Sequence, residues 1–437
     1  MRRNPAGVPV LTARAMRAAE AASGVPESEL MARAGAAVAR EVVRLAAGRP
    51  VLVLAGPGKN GRDARIAAEL LQAAGHPVRV AAHDALADAE SAPILLDALF
   101  GTGLSRPLDD TTGRHLARLA SGADLVIALD LPSGLATDSG ESLGAARVDV
   151  TIAIGALKPA HVLGQGVALC GHVLLADLGV PVASEVITIA RPQLAAPSAT
   201  SHKFSRGMVA VVGGAMPGAA RLAARAAMHG GAGYVVLTAK GGGPDALVHR
   251  AFDDTLLGDE RVSALLIGPG LGRDDAAGTT LDRALESARP LVIDGDALSL
   301  LGAEAAARLR GRAAPTILTP HEGEFARMFG EGSGNKIDRT RRAVADSECI
   351  IAHKGADTVI AHPEGRVTIA ADAPAWLATA GSGDVLAGLV ASRLAAGATH
   401  PAEDAVWLHG RAAERAGPAL IADDLIAHLP RAIAECL

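Results

Sequence analysis

The chain reads as an α/β protein of two three-layer domains, and three features predict this. Short apolar, β-branched runs alternate with alanine-rich stretches of helical spacing from end to end. The length of 437 residues suits two domains, each able to bury its own core. Half the residues are hydrophobic (49%) but only 2% are aromatic, so those cores must be built from Ala, Val, Leu and Ile.

Apolar residues at helical spacing over Leu11–Leu45 predict two helices packed on the first sheet. Strands are expected at Val51–Ala55, Val78–Ala82, Ile94–Leu96, Leu125–Leu129 and Val150–Ile154. In the second half they are expected at Val209–Val212, Tyr234–Thr238, Ala264–Ile267, Leu291–Ile293, Thr316–Leu318 and Ile350–His353. Runs this apolar suit parallel strands covered by helices on both faces. Arg191–Arg206, with two prolines and no periodicity, predicts the boundary, giving domains over 1–195 and 198–437.

A net charge of −5 gives no overall drive towards nucleic acid or anionic lipid. Cys170, Cys349 and Cys436 are far apart and lack metal spacing, so they read as reduced thiols of a cytoplasmic protein. No long apolar run follows Arg2 and Arg3, so no signal peptide is expected, and no stretch reads as a membrane span.

Ligand sites of open α/β sheets lie beyond the carboxyl ends of the strands, and the unusual segments fall there. Gly56–Asp63 follows the first strand and Leu129–Gly134 ends another. In the second half Gly268–Gly272, Asp294–Ala297 and Thr319–Glu324 each follow a strand. The most informative stretch is WLATAGSGDVLAG, Trp376–Gly388, a glycine-broken turn running into an apolar helical segment. Its glycines admit a ligand close to free N–H groups, and the positive end of the helix favours an anion. Asp384 stands where a carboxyl could exchange a proton with a bound hydroxyl.

Upstream lie VGGAMPGAARLAARAA (Val212–Ala227), IGPGLGRD (Ile267–Asp274) and ILTPHEGEF (Ile317–Phe325). Single residues also have plainer readings. His321 would cap a helix starting near Glu322, Lys354 would be a solvated strand-end lysine, and Asp294 and Asp296 would cap the next helix. Asp97 and Asp130 would close turns, and Trp376 and Trp407 would pack.

In these motifs the chain resembles the bifunctional NAD(P)H-hydrate repair enzymes. Those join a Rossmann-like NAD(P)HX epimerase domain to an ADP-dependent NAD(P)HX dehydratase of ribokinase-like fold. In the second half GGAMPGAARLAARAA, GPGLG, DGDAL, LTPHEGEF, KGADT and AGSGDVLAG occur in the family's order. The resemblance implies that Asp384 is the acid/base on the hydrated nicotinamide and that Ala219, Gly270, Gly272 and His321 contact the substrate. It also implies that Lys354, Gly355, Ala356, Asp357 and Thr358 hold the nucleotide phosphates, with Gly383 beside them.

The first half carries PVLTARAMRAAE, ELMARAGAAVA, LAGPGKNGRDARIAAELL, LLDALFGTGLSRPLDD, LDLPSGLATDSG and ALKPAHVLGQG. By resemblance, Asn60, Asp97 and Ser133 bind potassium, and Asp130 contacts the hydrated ring and moves its proton. Lys59, Asn60, Gly61, Arg62 and Asp63 would line the substrate, with Gly101, Thr102, Gly103, Leu104, Ser105, Arg106 and Pro107. Two departures stand out. Lys59 and Arg62 replace an amide and a glycine, placing cations that would repel potassium or pair with substrate phosphates. The link between Ala82 and Ile94 is short, which would expose part of the sheet or alter an interface.

The implied function is metabolite repair. The second half would dehydrate the S epimer of NAD(P)HX using ADP, and the first would interconvert the R and S epimers. ADP and potassium are the implied cofactors, with magnesium allowed. NAD(P)HX and ADP are the implied partners of a homo-oligomer. The alternatives are a small-molecule kinase in the second half and a non-catalytic binding or assembly module in the first.

Overall fold

The computed structural model describes residues 5–104, 106–239 and 241–437. The chain divides into two compact units, Met1–Thr188 and Ile189–Leu437.

In the first unit six parallel strands are β1 (Val51–Ala55), β2 (Val78–Ala82), β3 (Ile94–Ala98), β4 (Leu125–Leu129), β5 (Val150–Ile154) and β6 (His172–Ala176). They lie in the order β2-β1-β3-β4-β5-β6. A short strand β7 (Val186–Thr188) follows and bonds to residues 7–10, with Val10 N donating to the Val186 carbonyl at 2.9 Å. Alternate strand residues serve opposite faces. Val51, Val53, Ile94 and Leu96 meet Val38, Val42, Ala64 and Ala68 of the helices Glu27–Ala46 and Lys59–Ala73. Leu52, Leu54 and Leu95 meet Leu116 and Leu119 of the helix Asp110–Ser121. The result is the expected three-layer packing. The short Ala82–Ile94 link holds one 3₁₀ turn, His83–Ala85, and β2 keeps Val80 43% exposed, so part of the sheet is indeed uncovered.

In the second unit nine strands run β8 (Met208–Val212), β9 (Tyr234–Leu237), β10 (Val248–His249), β11 (Val262–Ile267), β12 (Leu291–Ile293), β13 (Thr316–Leu318), β14 (Ile350–His353), β15 (Thr358–Ala361) and β16 (Val367–Ala370). Their order is β10-β9-β8-β11-β12-β13-β14-β15-β16. The sheet is parallel up to β14, as expected of the strands read from the sequence, and the two strands not anticipated there, β15 and β16, add antiparallel pairs at its end. The two added strands are short runs joined by tight turns. The KGADT turn between β14 and β15 leaves no room for a crossover helix, so the chain must double back.

The helix Ser382–Ala395 is buried throughout Val385–Ser392 and crosses the helix Pro217–His229 closely. Gly388 makes this crossing possible, because a Cβ there would lie 2.1 Å from the Ala223 carbonyl oxygen. Alanines at the crossing and Leu425 and Leu429 of the last helix complete a core almost without aromatics.

Candidate active sites

The first unit changes winding direction between β1 and β3, where a ligand crevice is expected. A cavity of about 500 Å³ opens there. Lys59, Asn60, Asp63, Gly101, Thr102, Gly103, Leu104, Arg106 and Asp130 border it. Of the other residues expected to line it, Ser105 lies outside the described residues. Gly61, Arg62 and Pro107 do not border it: Gly61 is buried against Gly56, and Arg62 and Pro107 face solvent. Met16, Arg17 and Glu20 of the helix Ala13–Ala22 and Lys158 also line it, none of them anticipated in these roles.

Asp130 is the centre of this site. It has φ 64°, a left-handed conformation uncommon for a residue with a side chain. Four bonds hold it there, one of them from its own N–H to the Ile152 carbonyl at 2.8 Å. His161 Nε2 donates to the Asp130 carbonyl at 2.6 Å, while Lys158 Nζ (2.6 Å) and Ile154 N (3.1 Å) donate to Oδ1. The Lys158 side chain is 1% exposed and its ammonium also donates to the Ile154 carbonyl. His161 Nδ1 accepts from Lys158 N, and burial, with help from the Lys158 charge, pushes the ring down to about 4, so it is neutral. Oδ2 of Asp130 is left unengaged by the described residues.

Across the same cavity, burial pushes the Asp63 carboxyl up to about 7. Asp130 and Glu20 reinforce this, and Lys59 and Arg62 oppose it. Asp63 Oδ1 is buried without a hydrogen-bond partner among the described residues. Lys59, at the rim of the cavity, pairs with Glu27 at 2.8 Å with both side chains exposed, and Arg62 is exposed too.

Asn60, Asp97 and Ser133 are brought together around Phe100. Ser133 Oγ donates to Asp97 Oδ1 at 2.6 Å and Ser133 N to Oδ2 at 2.9 Å. Phe100 N donates to Ser133 Oγ, and Asn60 Nδ2 donates to the Phe100 carbonyl at 3.2 Å. Burial raises the Asp97 carboxyl above its usual range, and no basic side chain among the described residues bonds to it.

In the second unit the winding reverses between β8 and β11, and the loops after these strands meet: Met216 N donates to the Gly270 carbonyl at 2.9 Å. Asp296 holds the glycine loop from behind, accepting from Gly272 N at 3.0 Å and Arg273 Nε at 2.7 Å. Ala219 stands in the first turn of the helix after β8. Lys354 N donates to the Pro320 carbonyl at 2.7 Å, which joins the LTPHEGEF and KGADT loops.

Asp384 lies in the first turn of the buried helix Ser382–Ala395, whose N-cap Gly381 offers no side-chain cap. Burial, aided by Asp294 and then Asp296, pushes its carboxyl up to about 6, against the pull of Lys354.

The plainer readings separate here. His321 is a helix cap: Nδ1 accepts from Gly323 N and Glu324 N, while Glu324 reaches back to His321 N. Lys354 is not a solvated lysine, because Nζ bonds Asp294 Oδ1 at 2.7 Å with both side chains largely buried. Asp294 occupies an N-cap position yet makes no cap bond. Trp407 is buried, whereas Trp376 is 54% exposed and so is not a core residue. The KGADT turn contains a cation that the motif does not advertise: Lys336 Nζ donates to the Lys354 carbonyl and to Asp357 Oδ1 at 2.7 Å. Its signal in the sequence was only a lysine after a helix-capping asparagine.

Residues 209–433 match the family described as NAD(P)H-hydrate dehydratase. Residues 27–92 and 81–160 match that described as YjeF-related protein N-terminus. Among solved structures, an ADP/ATP-dependent NAD(P)H-hydrate dehydratase from Bacillus subtilis, co-crystallized with ATP/Mg2+, is similar at 29% identity and a TM-score of 0.50. The match covers 56% of this chain and 95% of that one. A ribokinase-like superfamily protein from Enterococcus faecalis shares the fold (TM-score 0.51, 24% identity, 59% of this chain and 98% of that one). The second unit therefore has a ribokinase-like fold.

Whole-length relatives agree. A bifunctional NAD(P)H-hydrate repair enzyme of Mycobacterium tuberculosis is 35% identical over 422 residues, 87% of this chain and 88% of its own length. One from Salinibacter ruber is 32% identical over 526 residues, covering 98% of this chain and 96% of that protein. The chain belongs to the family of bifunctional NAD(P)H-hydrate repair enzymes.

Proposed function

We propose that the second domain, over 198–437, dehydrates the S epimer of NAD(P)HX with ADP bound, and that the first, over 1–195, interconverts the R and S epimers. The single observation that carries the dehydratase half is Asp384: a half-buried carboxyl pushed up to about 6, in the first turn of a helix with an uncapped N-terminus. A carboxyl in that range holds a proton part of the time near neutrality and can give it to a leaving hydroxyl.

Asp384 protonates the hydroxyl of the hydrated ring, the carbon–oxygen bond breaks, and water leaves. The carboxylate left behind takes the proton from the neighbouring ring carbon, which restores the double bond and the acid. Ala219, Gly270 and Gly272 line the substrate with backbone, and His321 offers Nε2 while Nδ1 stays committed to its cap. Lys354, Gly355, Ala356, Asp357 and Thr358 receive the nucleotide phosphates beside Gly383, with Lys336 as a second cation. When bound, the nucleotide supplies the negative charge that these cations and the helix terminus lack. Magnesium, present with ATP in the Bacillus subtilis structure, would accompany those phosphates.

In the first domain Asp130 is the proton-transfer group, with Oδ2 free for the substrate, and Asp63 is the second titratable carboxyl of the cavity. Asn60, Asp97 and Ser133 would hold potassium. A buried carboxylate without a basic partner, set among amide, hydroxyl and carbonyl oxygens, is a donor set for a hard cation. Potassium would supply charge compensation to Asp97. Three buried free cysteines suit a reducing cytoplasm, and among the described residues no helix is long and apolar enough to cross a membrane. The exposed Trp376 and Ile421 offer apolar surface for a homo-oligomer.

The test uses purified protein, equimolar R- and S-NADHX, ADP and potassium, following reduced-nicotinamide absorbance and resolving the epimers by chromatography. Enzyme-dependent recovery of both epimers is expected. Recovery of S alone marks the first domain as non-catalytic. No recovery, with ATP consumed and a phosphorylated product, reinstates the kinase.

A further inference from the structure

One wall of the first cavity belongs to no glycine-rich loop: it is the helix Ala13–Ala22. Ala13, Met16, Arg17 and Glu20 border the cavity, and their i, i+3, i+4, i+7 spacing puts them on one face of that helix. The helix is fixed in place. Ala13 N donates to Asp138 Oδ1 at 2.8 Å, and Leu11 N donates to the Leu157 carbonyl at 2.8 Å. Met16 is buried over Gly155, just past β5, where φ is 74° and a Cβ would lie 2.4 Å from Met16 Cε. Glycine at that position leaves the room in which Met16 seats the helix.

Arg17 differs from the other charged groups of this cavity. It is exposed and forms no hydrogen bond or ion pair with the described residues. Lys59 is engaged by Glu27 and Lys158 by Asp130. Glu20 acts inwards, where its charge helps to push up the Asp63 carboxyl. An arginine on a fixed helix at a cavity mouth, with its donors uncommitted, suits a phosphate.

We propose that Arg17 is a substrate-binding residue of the first site: its guanidinium takes the diphosphate of NAD(P)HX at the mouth while the hydrated ring lies inside against Asp130. This rests on the epimerase reading above. A cavity of about 500 Å³ is of the size that encloses a small ligand, here the hydrated nicotinamide and its ribose. A doubly charged diphosphate is costly to desolvate and stays at the rim, where Arg17 is exposed. Arg106, on the loop after β3, also borders the cavity, exposed and unpaired among the described residues, so the diphosphate is gripped from two elements. The diphosphate is common to both coenzymes, so Arg17 serves NADHX and NADPHX alike.

The test follows epimerisation by the full chain, with potassium and without ADP, resolving the epimers by chromatography. Three substrates are compared: R-NADHX, R-NADPHX and the hydrated form of reduced nicotinamide riboside, which carries no phosphate. Arg17→Ala is expected to raise KM about tenfold for both dinucleotides with kcat within about twofold. The kcat/KM for the riboside relative to the dinucleotides should rise by about the same factor. The wild-type advantage should shrink as sodium chloride is raised from about 0.05 to about 0.5 M at fixed potassium. Equal melting temperatures confirm that the variant is folded, as an exposed, unbonded side chain predicts. An unchanged KM in Arg17→Ala overturns the proposal, as does an equal loss with the riboside or a loss insensitive to salt. A loss confined to NADPHX overturns the diphosphate assignment. Absence of epimerisation by the wild type overturns the epimerase reading itself, and this proposal with it.

Discussion

The two candidate sites handle buried charge in opposite ways. In the first, Asp130 is fixed before any ligand arrives: Lys158, Ile154 and His161 engage its side chain and carbonyl, and the lysine is almost wholly enclosed. In the second, Asp384 accepts no hydrogen bond from the described residues, and the cation nearest it is bonded to a different carboxylate. A site that needs only its substrate can satisfy its own charges. A site that responds to a second ligand must leave one interaction for that ligand to complete, because a ligand shifts an equilibrium only by what it binds differently in the two states.

The largest effect expected from breaking this contrast is at Asp384. Asp384→Asn should lower dehydration by about 10³-fold, the middle of the range for a lost general acid. Its melting temperature should equal or exceed that of the wild type, because the raised carboxyl ionises at a cost in the fold. The sign follows from that shift: ionisation costs stability as pH rises from the unfolded value of 3.8 through about 6, and the amide escapes it. A lower melting temperature for the variant at pH 7 would mean that Asp384 is a structural partner after all.

Lys158→Met comes next and should behave in the opposite manner. Removing one member of a buried pair costs about 3–5 kcal/mol, so the first domain should lose stability as well as about 100-fold in epimerisation. Dehydration by the second domain reports whether the loss is local. Lys158→Met combined with Asp130→Asn should regain much of the stability and none of the activity. If the double variant were no more stable than the single one, the pair would not be the source of the loss.

The contrast also shows what the sequence could carry. Most parallel strands of both sheets were legible because buried parallel strands are written as apolar runs, as in VLVLA at β1, whereas β6 and the two-residue β10 were not expected. The antiparallel end of the second sheet was not legible, since TVIA and VTIA are short and the turn between β14 and β15 reads first as a phosphate loop. Motif glycines and aspartates placed both sites at strand ends. The partners of those aspartates escaped: Lys158, His161 and Lys336 bond across the fold to aspartates 21 to 31 positions away. Asp294 misled for a physical reason. Its position in the chain is that of a helix cap, and only the buried ammonium of Lys354, 60 residues on, outbids the backbone for its carboxylate.

A smaller effect sharpens the first site alone. Asp63 lines the cavity with a carboxyl at about 7 and an unpartnered buried oxygen, whereas Asp130 is fully tied on one side. If Asp63 acts as an acid opposite Asp130, epimerisation should decline as pH rises through about 7, and Asp63→Asn should remove that limb while lowering the rate by about tenfold. Chromatographic exchange between the epimers from pH 5.5 to 8.5, about three units spanning the Asp63 value, checks it. An unaltered profile in the variant would leave Asp63 as a shaping residue only.

The smallest effect is expected at Lys59, the residue that most set this chain apart from its family pattern. Its ammonium meets Glu27 on the surface, with the two side chains 64% and 60% exposed. Exposed pairs of this kind contribute little and are screened by salt. Lys59→Ala should therefore leave both thermal stability and the potassium dependence of epimerisation unchanged, with rates within about twofold. A cation that truly crowded the Asn60–Asp97–Ser133 cluster would behave otherwise: its removal would lower the potassium concentration needed for half-maximal epimerisation. A gain in substrate affinity for the wild type over Lys59→Ala, lost in high salt, would instead show Lys59 leaving Glu27 for a substrate phosphate. The first site would then share the ligand-completed character of the second.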